Sequence, residues 1–198
     1  SAHADFVEKL RAAVEALGAK RNVMMIGRRQ YEDVKQKLLS AGAECVPPLG
    51  GDFQPDDEAM TLPMTALLGP SPESSCLTSE IFGPVLPVLQ VGDVGEAIGI
   101  IRRMVTGKPL IAYCYTEDPA AADAFVAGVS AGNVAVNGGP QRMISNFHAA
   151  FGGAGPSGMG CHMWGQEALR EFSHRKHVMR ARSGFARSFF SGPPPKPE

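Results

Sequence analysis

The sequence predicts an α/β fold: a mainly parallel open sheet with helices on both faces, followed by a carboxyl-terminal arm. Three observations carry the prediction. Short apolar, β-branched runs alternate with amphipathic helical stretches along most of the chain. Several helical stretches open on an acidic residue and close on glycine, which separates them cleanly from the strands. The run at residues 85–91 is almost continuously apolar, the form of a strand covered on both faces. Strands joined in this way run parallel through right-handed crossovers.

The elements follow in order. Asp5 with Glu8 has capping-box spacing, and Phe6, Leu10, Val14 and Leu17 then recur at helical spacing until Gly18. A short strand is expected at residues 23–26. A second helical stripe of Tyr31, Val34 and Leu38 ends at Gly42, and residues 44–46 form the next strand. Residues 59–68 contain Pro63 and read as an edge strand or an extended arm, because proline cannot donate to a ladder. Asp93 with Glu96 opens the best helix, carrying Val94, Ala97, Ile98, Ile101 and Val105 on one face before Gly107. A strand at residues 110–115 follows. Asp118 as cap, with Pro119 at the first helical position, starts an alanine-rich helix that ends near Gly132, and residues 133–136 make another strand. Residues 138–160 are dominated by glycine, and residues 183–198 form a Pro-rich extended tail that cannot join a packed core by itself.

Composition narrows the function classes. Nineteen Lys and Arg against twenty Asp and Glu leave a formal charge of -1, so no nucleic-acid partner is expected. No apolar run approaches the ~20 residues that span a bilayer, and no charged-then-apolar leader opens the chain, so a soluble intracellular protein is expected, of cytosol or mitochondrion. The chain opens on Ser1, which fits a trimmed initiator, a removed leader or a piece of a longer protein. Cys45, Cys76, Cys114 and Cys161 lack CxxC spacing, so neither structural zinc nor a disulfide framework is expected.

Gly153, Gly155 and Gly158 satisfy GxGxxG. That fingerprint needs a strand before it and a helix amino end after it, to turn N–H groups and the helix dipole on a pyrophosphate. Here Pro156 removes a donor, Gly158 and Gly160 disfavour an immediate helix, and no Asp follows Asp123, so the glycines read as a packing loop. His174, His177 and Cys161 lack a fourth donor at sensible spacing and read as surface residues, not ligands; no metal site is expected. Cys45 and Cys114 lie in apolar runs and read as inert packing, whereas Cys161 beside His162 is the one thiol with a plausibly reactive setting.

Two longer strings carry more information. Residues 78–88, TSEIFGPVLPV, resemble the EEIFGP segment of the aldehyde dehydrogenases, and residues 151–176, FGGAGPSGMG through EFSHRK, resemble their carboxyl-terminal signature, the class-3-like members fitting best. KPLIAYCY at residues 108–115 and AGNVAVN at residues 131–137 look like the intervening family strands, in the same order and spacing. The resemblance covers residues 6–180 and implies a catalytic-domain portion over residues 1–182, with residues 183–198 as the tail.

The resemblance also implies roles. Glu80 and Phe82 match the residues that hold the nicotinamide ribose and ring edge. A carboxylate can accept two ribose hydroxyl hydrogen bonds, and an aromatic face restrains a mobile ring; the plain alternative is that Glu80 caps a short turn. Asn146 and Phe151 match the loop lining the aldehyde tunnel, with Ala150 where the family has proline. In the family order, the nucleophilic cysteine, the glutamate base, the oxyanion asparagine and the dinucleotide domain all precede this segment. Ser79 replaces the first of the paired glutamates. The function expected from this is a non-catalytic subunit with a structural or assembly role, its Glu80 and Phe82 engaged by protein groups and no cofactor bound by this chain alone. The alternative is a fragment or split half of an NAD(P)-dependent aldehyde dehydrogenase, with NAD or NADP bound by the intact enzyme. The expected partners are other protein subunits, contacted through the arm at residues 172–190, including Val178, Phe185, Phe189 and Phe190, as in the family's strand pairing.

Overall fold

The computed structural model describes residues 2–17, 21–50, 53–103, 108–159 and 163–180. The expected features at Gly18, Val105, Gly107, Cys161, His162 and the tail at residues 183–198, with Phe185, Phe189 and Phe190, lie outside the described residues.

The chain is α/β, and its elements gather around two apolar cores. The first contains α1 (Ala2–Ala16), β1 (Asn22–Met24), α2 (Arg28–Ser40), β2 (Glu44–Val46), β3 (Thr61–Pro63), β4 (Thr65–Leu68), the short α3 (Ser75–Thr78) and β5 (Val85–Val88). Tyr31, Val34 and Leu38 form the apolar stripe of α2 and pack with Leu62, Leu67, Cys76 and Val85. The second contains α4 (Val94–Arg103), β6 (Ile111–Cys114), α5 (Pro119–Gly128) and β7 (Asn133–Val136), with Ala112, Phe125 and Val129 at its centre. The short helices α6 (Pro140–Ile144) and α7 (Gly165–Glu171) flank a glycine loop containing a 3-10 turn at Gly155–Ser157.

Strand direction follows the connections. Parallel neighbours need a crossover, whereas a direct return gives an antiparallel pair. β4 and β5 pair in parallel, as do β6 and β7 across the α5 crossover. β1 pairs antiparallel with β3, and β2 antiparallel with β4. The mainly parallel sheet expected from the sequence is therefore a mixed one, in three pieces. The reversal comes from the connection between β2 and β3, which carries no helix among its described residues, so the stretch at residues 61–68 returns against both β1 and β2.

The proline positions explain the sheet breaks. Pro63 ends β3, and the next residue, Met64, donates its N–H to the Arg21 carbonyl at 2.8 Å. β4 lies between β2 and β5, so residues 65–68 are a central strand, not the edge segment expected; Pro63 stays outside that ladder. Pro87 is tolerated because β5 is at the edge.

Caps behave unevenly. Glu96 donates its N–H to Asp93 Oδ1 at 2.8 Å and accepts the Gly92 N–H at 2.7 Å, so α4 is capped from both sides. Asp118 Oδ1 accepts the Ala120 N–H at 2.9 Å. Asp5, by contrast, lies inside the first turn of α1, where its charge faces the helix dipole without capping.

Candidate functional site

The loop at residues 79–83 connects α3 to β5 and is held from outside by one face of α2. Gln30, Val34 and Lys37 are spaced i, i+4 and i+7 and so share that face. Gln30 Nε2 donates to the Ile81 and Phe82 carbonyls, each at 3.1 Å, and Lys37 Nζ donates to the Glu80 carbonyl at 2.5 Å. Gly83 completes the contact: a Cβ there would lie 2.8 Å from Val34 Cγ1 and 3.0 Å from Val34 Cγ2. Four consecutive loop residues are thereby read by three helical side chains.

The Glu80 and Phe82 side chains point the other way. Phe82 is 76 % exposed with φ +48, a left-handed conformation that costs an L side chain about 1 kcal/mol or more and persists because its surroundings impose it. Glu80 is exposed, and among the described residues its carboxylate has no hydrogen-bond or ion-pair partner. Among the described residues, then, the protein holds the backbone of this loop through α2 and leaves these two side chains outside. A carboxylate left without a partner can accept hydrogen bonds from hydroxyl groups, and an open aromatic face can restrain a planar ring.

Gly83→Ala tests how closely the loop is seated. The added methyl meets the fully buried Val34, so a loss of about 1–3 kcal/mol is expected in urea unfolding. A change below about 0.5 kcal/mol, within the range of ordinary surface substitutions, would show that the loop floats on α2.

The second pair of expected residues separates. A cleft of about 270 Å³ opens along β7 and the segment that follows it, lined among others by Asn133, Val136, Asn137, Met143, Asn146 and Ala150. Asn137 ties the strand ends together, accepting the Thr116 N–H at 2.9 Å and donating to the Thr116 carbonyl at 2.8 Å. Asn146 is exposed at the cleft, its Oδ1 accepting the His148 N–H at 3.2 Å. Phe151 is only 6 % exposed and exchanges backbone hydrogen bonds of 3.0 and 2.8 Å with Met163. It is buried and does not line this cleft. No described hydrogen bond or ion pair joins Glu80 or Phe82 to Asn146 or Phe151.

The glycine loop has a mechanical explanation. It contains a 3-10 turn and, among the described residues, does not join a strand to a helix. A Cβ on Gly153 would lie 2.1 Å from the Ser157 carbonyl oxygen, and one on Gly158 2.7 Å from Gly153 Cα, so the loop folds tightly on itself. Asn133 Nδ2 donates to the Leu110 and Gly152 carbonyls, both at 3.0 Å, and fastens it to the sheet. Asn133, Gln30 and Lys37 were not singled out from the sequence. The available signal was a lysine and a glutamine on the face of α2 that also carries Val34.

Burial disfavours the thiolate at two of the described cysteines. Burial pushes the Cys45 thiol up, with Glu44 adding to the effect, and burial pushes Cys76 up against the opposing pull of Ser74 and Lys37. Among the described residues, no group of three or more His, Cys, Asp or Glu could hold a metal ion. Nor is any helix there long and apolar enough to cross a membrane.

Comparison with known proteins places this geometry. Residues 1–178 match the aldehyde dehydrogenase family. An aldehyde dehydrogenase of Craterostigma plantagineum is 35 % identical over 160 residues, covering 81 % of this chain and 32 % of its own length. The Arabidopsis thaliana aldehyde dehydrogenase family 3 member H1 is 37 % identical over 139 residues, covering 70 % of this chain and 28 % of its own. A solved lactaldehyde dehydrogenase superposes with a TM-score of 0.72 at 26 % identity, over 86 % of this chain and 36 % of that one. A Mycobacterium tuberculosis aldehyde dehydrogenase solved with NAD+ shares the fold, with a TM-score of 0.64 at 23 % identity over 77 % and 31 % of the two chains. The chain thus spans about a third of the length of these relatives. With its class-3-like strings in register and its fold shared, this chain belongs to the aldehyde dehydrogenase family.

Proposed function

We propose that these residues form the nicotinamide-facing edge and one wall of the aldehyde cleft in an NAD(P)-dependent aldehyde dehydrogenase, the nucleophilic thiol and dinucleotide domain being contributed by polypeptide outside the 198 residues. The observation that carries this reading is the loop at residues 79–83, whose backbone is strapped to α2 while Glu80 and Phe82 stay unengaged. A merely structural loop has no need to hold a phenylalanine 76 % exposed in a left-handed conformation. When bound, the nicotinamide accepts the hydride released as an aldehyde is oxidised to a carboxylic acid. Glu80 would accept the ribose hydroxyls, Phe82 would limit the tilt of the ring, and Asn146 would contribute its amide to the cleft. Phe151 would support that wall from beneath.

The non-catalytic subunit expected first from the sequence accounts equally for uncovered apolar side chains such as Ile26, Leu169 and Phe172, but gives no reason for the unengaged Glu80. Both readings use the arm as a contact with another polypeptide. Residues 174–180 lie outside helix and strand, with Val178 and Met179 exposed and no described backbone hydrogen bond, which suits pairing with a partner's sheet edge.

Glu80→Gln in the assembled enzyme tests the proposal. Losing hydrogen bonds to a charged group should raise the NAD(P) KM by about tenfold or more, with a corresponding rise in dissociation constant by calorimetry. Unchanged cofactor affinity would exclude the role. The isolated chain should oxidise no aldehyde, because on this reading the nucleophilic thiol comes from other polypeptide. Turnover abolished by Cys161→Ser alone would instead place an active site in the glycine loop.

A further inference from the structure

Lys37 is 7 % exposed, an unusual place for an ammonium group unless it is paired. Its Nζ donates to Asp33 Oδ2 at 2.8 Å and to the Glu80 carbonyl at 2.5 Å. Its own carbonyl accepts the Cys76 Sγ–H at 3.3 Å, from the helix that leads into the loop. Lys37 therefore touches the chain both before the loop and at Glu80.

Stability alone is a weak reason for this arrangement. A buried charge loses hydration, and an apolar side chain of similar length commonly does as well or better. The pair with Asp33 is an i,i+4 pair with a half-exposed partner, a type that contributes only a few tenths of a kcal/mol. The carbonyl of Glu80 is the remaining partner. Residues 80–82 belong to no strand or helix, so no ladder sets their direction. Gln30 secures the carbonyls of Ile81 and Phe82, whereas the described hydrogen bond to Glu80 itself comes from Lys37.

The geometry points to Lys37 as a positioning residue for the Glu80 carboxylate. The ammonium, aligned by Asp33, fixes the peptide plane from which the Glu80 side chain leaves the loop, and so aims an acceptor it does not touch. The inference rests on the reading of Glu80 as a ribose ligand. It adds that the ligand's direction is set from α2, with Asp33 as the aligning anion.

Two measurements test it. In the cofactor-free chain, Lys37→Met should speed amide hydrogen exchange in a peptide spanning residues 79–83 by about tenfold while leaving β4 unchanged. In the assembled enzyme, Lys37→Met should weaken NAD(P) binding by about tenfold, in calorimetry as in KM, with a smaller change in kcat. On a Glu80→Gln background the same substitution should have little further effect, because the group it aims is gone. A full additional loss in the double variant, or exchange unchanged at residues 79–83, would overturn the positioning role. If Glu80→Gln alone leaves binding intact, the ribose reading fails instead. Should Lys37→Met not fold, Asp33→Asn carries the same cycle from an exposed position, with a smaller effect in the same direction; no effect of that variant on exchange or binding would equally overturn the inference.

Discussion

Gly132→Ala is expected to loosen the second core where the glycine loop meets the sheet. A Cβ at residue 132 would lie 2.2 Å from the Gly152 carbonyl oxygen, 2.9 Å from Gly153 Cα and 3.0 Å from the Leu110 carbonyl oxygen. All three obstacles are backbone. A side chain such as Val34 can shift, but here the glycine loop or β6 would have to move, and Asn133 holds the two together. The loss should reach the top of the overpacking range, about 3 kcal/mol, which for a chain of this size lowers Tm by on the order of 10 °C. Thermal unfolding gives the magnitude, and faster hydrogen exchange in β6 and β7, with β4 and β5 unaffected, locates it. A Tm shift below about 2 °C would mean that the loop does not sit against the sheet.

Tyr31 should make the first core sensitive to alkali. Its side chain is fully buried in α2, and its hydroxyl donates to Asp57 Oδ1 at 2.5 Å, where Lys35 Nζ also donates. Burial raises the phenol well above its ordinary 10.0, and the hydrogen bond and charge of Asp57 raise it further. The protonated phenol is thus favoured in the folded state. Its stabilisation is complete below the unfolded value near 10 and is lost as pH rises toward the folded value, at about 1.4 kcal/mol per pH unit. Tyr31→Phe should remove that dependence, leaving a loss of about 1 kcal/mol at neutral pH from the missing hydrogen bond. Urea unfolding of both proteins from pH 8 to 12 isolates the effect, since other titrating groups are common to both. Parallel pH curves for the two would refute it. Asp57 is itself held below the usual carboxylate range by Lys35 and then Tyr31, so its own contribution is present at neutral pH and fades in acid.

Much of this architecture was legible in local chemistry. Asp93 with Glu96, and Asp118 before Pro119, mark helix starts because an acceptor beside bare N–H groups works whatever the rest of the fold does. The apolar stripe of α2 was legible for the same reason, as a helix period needs no knowledge of its partner. Asp5 misled because the helix starts further upstream, at Ala2. The family strings located Glu80, Phe82, Asn146 and Phe151, yet their settings could not be read from order alone. Phe151 is buried and bridged through its backbone to Met163, whereas Asn146 is exposed at the cleft.

By itself, then, the sequence determined the α/β class, the helix caps and the family strings, all of which depend on residues within a few positions of one another. Only the tertiary structure decided that the sheet is mixed, that Gly132 is small for the sake of residue 152, and that Gln30 and Lys37 hold a loop some fifty and forty residues away, at separations of 51 and 43 positions. Those contacts depend on where distant backbone arrives. A carbonyl accepts a hydrogen bond irrespective of its side chain, so nothing in the identity of Glu80 or Ile81 announces the lysine and glutamine that grip them.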